Sequence, residues 1–285
     1  MKPEVIHGIA PLRAAVAARR GRGETIGLAP TMGALHSGHG RLIEQARREC
    51  GAVVVSIFVN PIQFNQAEDF ERYPRTLAGD VEFCRALGVD LVFAPSDRDM
   101  YPGRQHTFVE VEGLSDRLCG PFRPGHFRGV ATVVMKLFMI VQPDRAYFGE
   151  KDAQQLAVIR RMVADLNIPV AIVDVPTVRE PDGLALSSRN SRLDARQRQA
   201  ANALYRGLEA ARRVAAGGIR DAGEMKRAAQ AVFAEEPAVR IEYLEVVDAG
   251  DMQPVESVAS AVRIAVAAWV GETRLIDNVL FEPRY

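Results

Sequence analysis

His36 and His39 stand three residues apart in the stretch LAPTMGALHSGHGRL, residues 28–42, flanked by Gly33, Ser37 and Gly38. An apolar run at residues 25–29 predicts a buried strand that stops at Pro30. Beyond the turn, Leu42, Ile43, Ala46 and Cys50 recur at helical spacing. Two imidazoles at a helix start lie on one side of it, Gly38 leaves the approach open, and backbone N–H groups there would face an anion. Imidazoles so placed donate hydrogen bonds to charge developing on phosphate oxygens. The turn is a candidate phosphate site, with two alternatives. His-x-x-His can begin a metal site, though zinc needs further ligands that no neighbouring Cys or acidic pair supplies; or both are ordinary turn histidines. No G-x-x-x-x-G-K-[ST] occurs, and Gly21, Gly23 and Gly27 precede the strand at the wrong spacing.

Four further groups of residues carry chemistry. Gly149, Glu150, Lys151 and Asp152 form a second strand-to-helix corner, after a strand predicted at 145–148 and before an amphipathic helix running to Leu166. A lysine in a glycine-led turn is a point charge suited to phosphate. Asp152 reads equally as a helix cap, and either Gln154 or Gln155 turns inward. Ser187, Ser188, Arg189 and Asn190 form a compact phosphate clamp, or else a polar loop and helix cap. Asn60 and Gln63 follow an apolar strand at 52–59, and their amides suit a neutral, hydroxyl-bearing substrate. Ligands of open α/β sheets bind outside the carboxyl ends of strands, which puts these amides on the rim of the histidines. Asn60 also reads as a turn cap before Pro61. Arg123 opens RPGHFRG, an anion-facing or simply solvated basic loop.

These residues need a scaffold, and the patterning supplies one. Strands at 25–29, 52–59, 91–94, 145–148 and 169–175 alternate with helices, including one at 76–87 and one at 130–141 that is apolar nearly all round. A surface helix is predicted at 11–19, and a strand or hairpin arm at 106–112. From Asp194 the order changes to helices at 194–216 and 221–235, then strands at 240–247, 263–270 and 274–281. This indicates an α/β protein, with a Rossmann-like parallel-sheet domain over 1–178 and a smaller α+β lid domain with an antiparallel sheet over 179–285.

Bulk properties narrow the function. Of the 285 residues, 36 are basic and 36 acidic, so no overall field favours a nucleic acid, and small substrates are expected. Cys50, Cys84 and Cys119 form no C-x-x-C pair, which suits a reducing compartment. The N-terminal stretch lacks a signal-peptide pattern, and Lys136 interrupts the longest apolar window, so a cytoplasmic protein without a membrane span is expected.

Taken together, PTMGALHSGH (residues 30–39), IFVNPIQF (57–64), YPRT (73–76), RPGHF (123–127), FGEKD (148–152) and LSSRN (186–190) closely resemble the pantothenate synthetase (pantoate–β-alanine ligase) family, within the H-x-G-H nucleotidyltransferase superfamily. The match covers essentially the whole chain. It implies two steps: the carboxylate of pantoate attacks the α-phosphorus of ATP and releases pyrophosphate, and the amine of β-alanine then displaces AMP from pantoyl adenylate. By motif match His36 and His39 hold the triphosphate, with His39 as proton donor, and Lys151 and Arg189 neutralise phosphate charge alongside Mg²⁺. The resemblance assigns the ATP site to Met32, Gly33, Ala34, Leu35, His36, Ser37, Gly38, His39, Gly149, Glu150, Lys151, Asp152, Val178, Leu186, Ser187, Ser188 and Arg189. Gln63 and Gln155 are assigned to pantoate, Gln63 also to β-alanine, and Asn60 and Arg123 are further substrate candidates. Where relatives often carry acids after the threonine, this chain has Leu77, Ala78 and Gly79 before Asp80, leaving Asp80 and Glu82 nearby, with Asp80 the candidate protein ligand for magnesium and an ion held by phosphates and water the alternative. A homodimer is implied as well.

Two rivals remain at this level. A nucleotidyltransferase acting on a phosphorylated acceptor shares the histidine turn but wants a cationic acceptor rim. An RNA-binding or nucleotide-sensing module wants a basic, aromatic-studded face.

Overall fold

The computed structural model describes residues 2–283. The chain forms two compact units. Unit 1 runs to Ser115 and adds Arg123–Glu150 and Val158–Pro176, while unit 2 comprises Asp116–Phe122, Lys151–Ala157 and the chain from Thr177 onward. The sequence reading divides the chain once, between 178 and 179. The two short excursions join unit 2 because their polar groups are bound there: Cys119 Sγ lies 3.2 Å from the Tyr243 hydroxyl, and Asn278 Nδ2 donates to the Lys151 carbonyl at 3.1 Å.

Unit 1 is built on strands β1 (Glu4–Ile6), β2 (Ile26–Thr31), β3 (Ala52–Ile57), β4 (Leu91–Phe93), β5 (Arg145–Gly149) and β6 (Ala171–Val175), with all neighbours parallel in the order β1-β4-β3-β2-β5-β6. The chain steps outward from β2 through β3 to β4, then restarts on the other side with β5 and β6. The order therefore reverses between β2 and β5, the position at which doubly wound sheets open a crevice. β3 reads AVVVSI and is buried almost throughout, as a strand covered on both faces must be. Helix α2 (Ser37–Glu49) turns Leu42, Ile43 and Ala46 onto this sheet, where they pack with Val53, Val55 and Tyr147. Around the sheet run α1 (Ile9–Arg20), the short α3 (Ala67–Glu71), α4 (Leu77–Ala86), the short α5 (Asp97–Met100), α6 (His126–Val141) and α7 (Ala153–Asp165), whose first turn falls in unit 2. Among the described residues no helix is long and apolar enough to cross a membrane.

Some local expectations change. β2 runs through Pro30 to Thr31 because β5 pairs with it only at Gly27 and Leu28, so Pro30 lies past that ladder. β1 is three residues at the sheet edge, too short to register as a periodic run. The strand or hairpin arm expected at 106–112 is irregular. There the Val109 N–H bonds to Thr132 Oγ1 of α6 at 3.0 Å, and Phe108 packs 3.9 Å beneath the Arg128 guanidinium. A side chain on a helix thus takes the donor that a partner strand would have taken.

Unit 2 carries α8 (Ala195–Ala201), α9 (Ala203–Ala216) and α10 (Ala222–Ala234), followed by β7 (Val239–Asp248), β8 (Val262–Val270) and β9 (Thr273–Phe281). The expected single helix at 194–216 is two, meeting at Asn202. The strands form an antiparallel sheet with β8 in the middle. Leu204, Leu208, Met225 and Phe233 from the helices pack on Val246, Ile264 and Val266.

Leu204 is 1% exposed and Leu166 is 52% exposed. Leu204→Ala is expected to lower stability by about 2–5 kcal/mol in chemical denaturation, and Leu166→Ala to change it by less than about 0.5 kcal/mol. Equal midpoints for the two variants would contradict this assignment of the core.

Candidate active site

The chain leaves β2 at the reversal of strand order and enters the turn that carries both histidines. Thr31 donates its hydroxyl to the Ser56 carbonyl at 2.7 Å and accepts from the Gly33 N–H at 3.2 Å. Gly33 (φ 82°) and Ala34 (φ 49°) both occupy the left-handed region. For a residue other than glycine that conformation costs about 1–2 kcal/mol, so the turn needs outside support. Asp80 of α4, buried at 3% exposure, supplies it. Its Oδ2 accepts from the Ala34 N–H at 3.1 Å and from the Thr76 hydroxyl at 3.2 Å, and its Oδ1 accepts from the Leu35 N–H at 2.8 Å. A Cβ on Gly33 would sit 3.0 Å from the same carboxylate, so the close approach favours glycine.

His36 is the N-cap of α2. Its Nδ1 accepts from the Gly38 N–H at 3.1 Å, and His39 Nδ1 accepts from the His36 N–H at 3.3 Å. This reciprocal cap satisfies two of the donors a helix start leaves over. A ring nitrogen that accepts is the unprotonated one, so each neutral imidazole carries its proton on Nε2. The rings lie 4.2 Å apart, centre to centre. The sequence reading has backbone N–H groups facing an anion. The amides of Ala34 and Leu35 serve Asp80, and those of His36 and Gly38 serve the imidazoles.

Beyond β3 the chain makes a tight turn at Pro61–Gln63, fastened by side chains. Asn60 Nδ2 donates to Gln63 Oε1 at 3.0 Å and to the Gly129 carbonyl at 3.1 Å, while its Oδ1 accepts from the Tyr101 hydroxyl at 2.7 Å. Both ends of this 1%-exposed amide are therefore engaged within the protein, and its side chain does not cap the turn. Gln63 Nε2 reaches Met32 Sδ at 3.0 Å, which ties the amide to the histidine turn. The Gln63 carbonyl accepts from His126 Nδ1 at 2.8 Å, and His126 Nε2 accepts from Arg123 Nη1 at 3.2 Å. α6 comes this close because residue 129 is glycine: a Cβ there would lie 2.4 Å from the Ile62 carbonyl oxygen.

Of the expected residues, unit 1 therefore links Met32, Asn60, Gln63 and Arg123 in one network and sets Asp80 under the turn at 33–36. Gly149 ends β5, and Glu150 follows it. Unit 2 holds the others. Lys151 is half-buried, with Nζ 3.8 Å from Asp152 Oδ1. Gln154 is given over to structure, accepting from the Cys119 N–H at 3.0 Å and donating to the Arg117 carbonyl at 2.6 Å, whereas Gln155 is half-buried. The Val178 carbonyl accepts from the Leu186 N–H at 2.9 Å, and Ser187 Oγ accepts from the Arg189 N–H at 3.2 Å, which starts a short helical turn at Ser188–Arg192.

Three participants were not assigned from the sequence: Tyr101, His126, and Asp80 in its actual role. His126 stands inside the RPGHF motif, the signal that could have drawn attention to it. Asp80, expected as a magnesium ligand, has both oxygens occupied by two N–H groups and a hydroxyl. Among the described residues no group of three or more His, Cys, Asp or Glu is disposed to hold a metal ion. A metal cage made by the protein does not fit these residues.

A doubly wound sheet that reverses at a capped two-histidine turn, with carboxamides after the neighbouring strand, defines an α/β protein of the H-x-G-H type. A family model described as pantoate-beta-alanine ligase matches residues 4–280, and the chain belongs to that family. It is 53% identical to a pantothenate synthetase of Moorella thermoacetica over 98% of this chain and 99% of that one. Its fold is similar to the crystal structure of pantothenate synthetase from Thermus thermophilus, with a TM-score of 0.93 and 49% identity over 98% of this chain and 100% of that one. It is also similar to a pantoate-beta-alanine ligase from Francisella tularensis crystallised with beta-gamma ATP and beta-alanine, with a TM-score of 0.79 and 35% identity over 98% and 97% of the two chains.

Asp80→Ala leaves the half-buried Ala34 and Leu35 amides without their acceptor. A loss of about 2–4 kcal/mol is expected for the two, together with weakened ATP binding by calorimetry. Wild-type ATP affinity in a folded Asp80→Ala protein would contradict the support role.

Proposed function

We propose that this chain condenses pantoate with β-alanine, consuming ATP and giving pantothenate, AMP and pyrophosphate through a pantoyl adenylate. A carboxylate oxygen of pantoate attacks the α-phosphorus, and the bond to the β-phosphate oxygen breaks. The amine of β-alanine then attacks the acyl carbon, the bond to AMP breaks, and the nitrogen loses a proton. Neither step needs a covalent bond to the protein. Both need alignment and stabilisation of charge on phosphate oxygens.

The observation that carries this reading is the reciprocal cap at His36 and His39, which fixes two Nε2–H donors at the reversal of strand order in a chain of this family. In our reading both imidazoles serve the triphosphate and His39 is the proton donor. Residues 32–39, 149–152, Val178 and 186–189 bind ATP, with Lys151 and Arg189 offsetting phosphate charge. Gln63 and Gln155 hold pantoate, and Gln63 also approaches β-alanine. Asn60, whose amide is fully engaged, and Arg123, acting through His126, orient Gln63. Magnesium, when bound, offsets phosphate charge and is carried by phosphate oxygens and water, as is common for this ion. We further propose that the enzyme is a cytoplasmic homodimer.

With ATP, magnesium and pantoate but no amine, the protein is expected to release about one pyrophosphate per site, and β-alanine then permits turnover. His39→Ala and Lys151→Ala should each slow that release by about a hundredfold or more, with unchanged circular dichroism. Pyrophosphate release that requires β-alanine, or a wild-type rate in His39→Ala, would overturn this reading.

A further inference from the structure

We propose that Asn278 and the Arg179–Asp277 pair are positioning residues that hold the two anion-facing segments of unit 2, the Lys151 turn and the loop at 184–190, on strand β9. This rests on the reading that Lys151 and Arg189 offset phosphate charge. β9 is paired by β8 on one side and, among the described residues, by no strand on the other. Two adjacent residues of it serve segments far apart in the chain.

The first is Asn278, 5% exposed. Its Oδ1 accepts from Arg263 Nη1 of β8 at 2.7 Å, which fixes the orientation of the amide, so Nδ2 is turned to the Lys151 carbonyl at 3.1 Å. The anchor is on the backbone of Lys151 and leaves its ammonium to other partners.

The second is Asp277, 3% exposed, gripped by both terminal nitrogens of Arg179 at 2.6 and 3.0 Å. The same guanidinium donates to the Asn278 carbonyl at 3.1 Å and to the Gly183 carbonyl at 3.0 Å, and it lies 4.2 Å over the Tyr205 ring. Arg179 is also the root of a small hairpin. Residues 179 and 185 form an antiparallel bridge, the Glu180 N–H donates to the Leu184 carbonyl at 2.8 Å, and the Leu186 N–H donates to the Val178 carbonyl at 2.9 Å. Gly183 (φ 98°) closes the turn, and a Cβ there would meet the Tyr205 ring at 2.0 Å. The return arm of this hairpin becomes Leu186, Ser187, Ser188 and Arg189. A forked guanidinium on a buried carboxylate resists rotation, so the arm inherits its placement from β9.

The test uses the whole 285-residue chain and pyrophosphate release at steady state with ATP, magnesium, pantoate and β-alanine. Asn278→Ala and Arg179→Lys are each expected to lower kcat/KM for ATP about tenfold, as the loss of one aligned contact does. Lys151→Ala/Asn278→Ala should be no slower than Lys151→Ala alone, because Asn278 acts through Lys151. Hydrogen exchange should speed up at 150–152 in Asn278→Ala and at 184–190 in Arg179→Lys. Wild-type kcat/KM in Asn278→Ala, or a double variant whose losses multiply, would overturn the proposal. Should Arg179→Lys fail to fold, Asn278→Ala and the double variant decide it. A wild-type protein that releases no pyrophosphate overturns the functional reading and the positioning role with it, whereas an active wild type with indifferent variants overturns only the positioning role.

Discussion

A single buried carboxylate bears most of the weight in unit 1. Asp80 accepts from two consecutive amides of a turn whose residues 33 and 34 are both left-handed, and Thr76 steadies it from the start of the same helix. Without that acceptor the turn would have strained backbone and two unsatisfied donors. With it, the chain enters α2 at an angle that lets His36 and His39 cap each other. The cap also sets the tautomer, since a neutral imidazole that accepts at Nδ1 carries its proton on Nε2. Sterics at Gly33, a buried hydrogen bond and a tautomer thus form one causal sequence ending in two oriented donors.

Buried polar side chains fasten other loops in the same way. Asn60 commits its whole amide to Gln63, Gly129 and Tyr101, and Gln154 commits its amide to Arg117 and Cys119. Asp277 is held by Arg179; burial pushes its carboxyl above the ordinary range, and the guanidinium and the Asn278 amide pull it back. Burying such groups adds little to stability compared with an apolar core of the same volume. What these contacts supply is fixed geometry, which a reaction that depends on alignment requires.

Much of this was legible beforehand. The alternation of apolar strands and helices pointed to the doubly wound sheet, and the change of order after Asp194 pointed to the antiparallel sheet. The turn that carries the two histidines is marked in the sequence by their spacing, the glycines around them and the change from strand to helix pattern. Three things were not legible, each for a physical reason. β1 and the course of residues 106–112 depend on tertiary partners, since a three-residue edge strand has no period and Val109 takes its hydrogen bond from a helix side chain. The support that Asp80 gives the turn is not legible, because a carboxylate's burial and partners are not written in its neighbours. The sequence ranks Gln63 above Asn60 as a substrate amide, but the hydrogen bonds by which Asn60 fastens Gln63 are not written in it.

Activation of the pantoate carboxylate on the α-phosphorus of ATP, by donors fixed in the histidine turn, is the central claim. Pantoate labelled with ¹⁸O in its carboxylate tests it most directly, in a reaction with unlabelled ATP and β-alanine. One labelled oxygen should appear in AMP and none in pyrophosphate, because the carboxyl oxygen that attacks phosphorus leaves with the nucleotide when the amide forms. Label retained in the pantothenate carbonyl alone with unlabelled AMP, or label found in the released pyrophosphate, would contradict it.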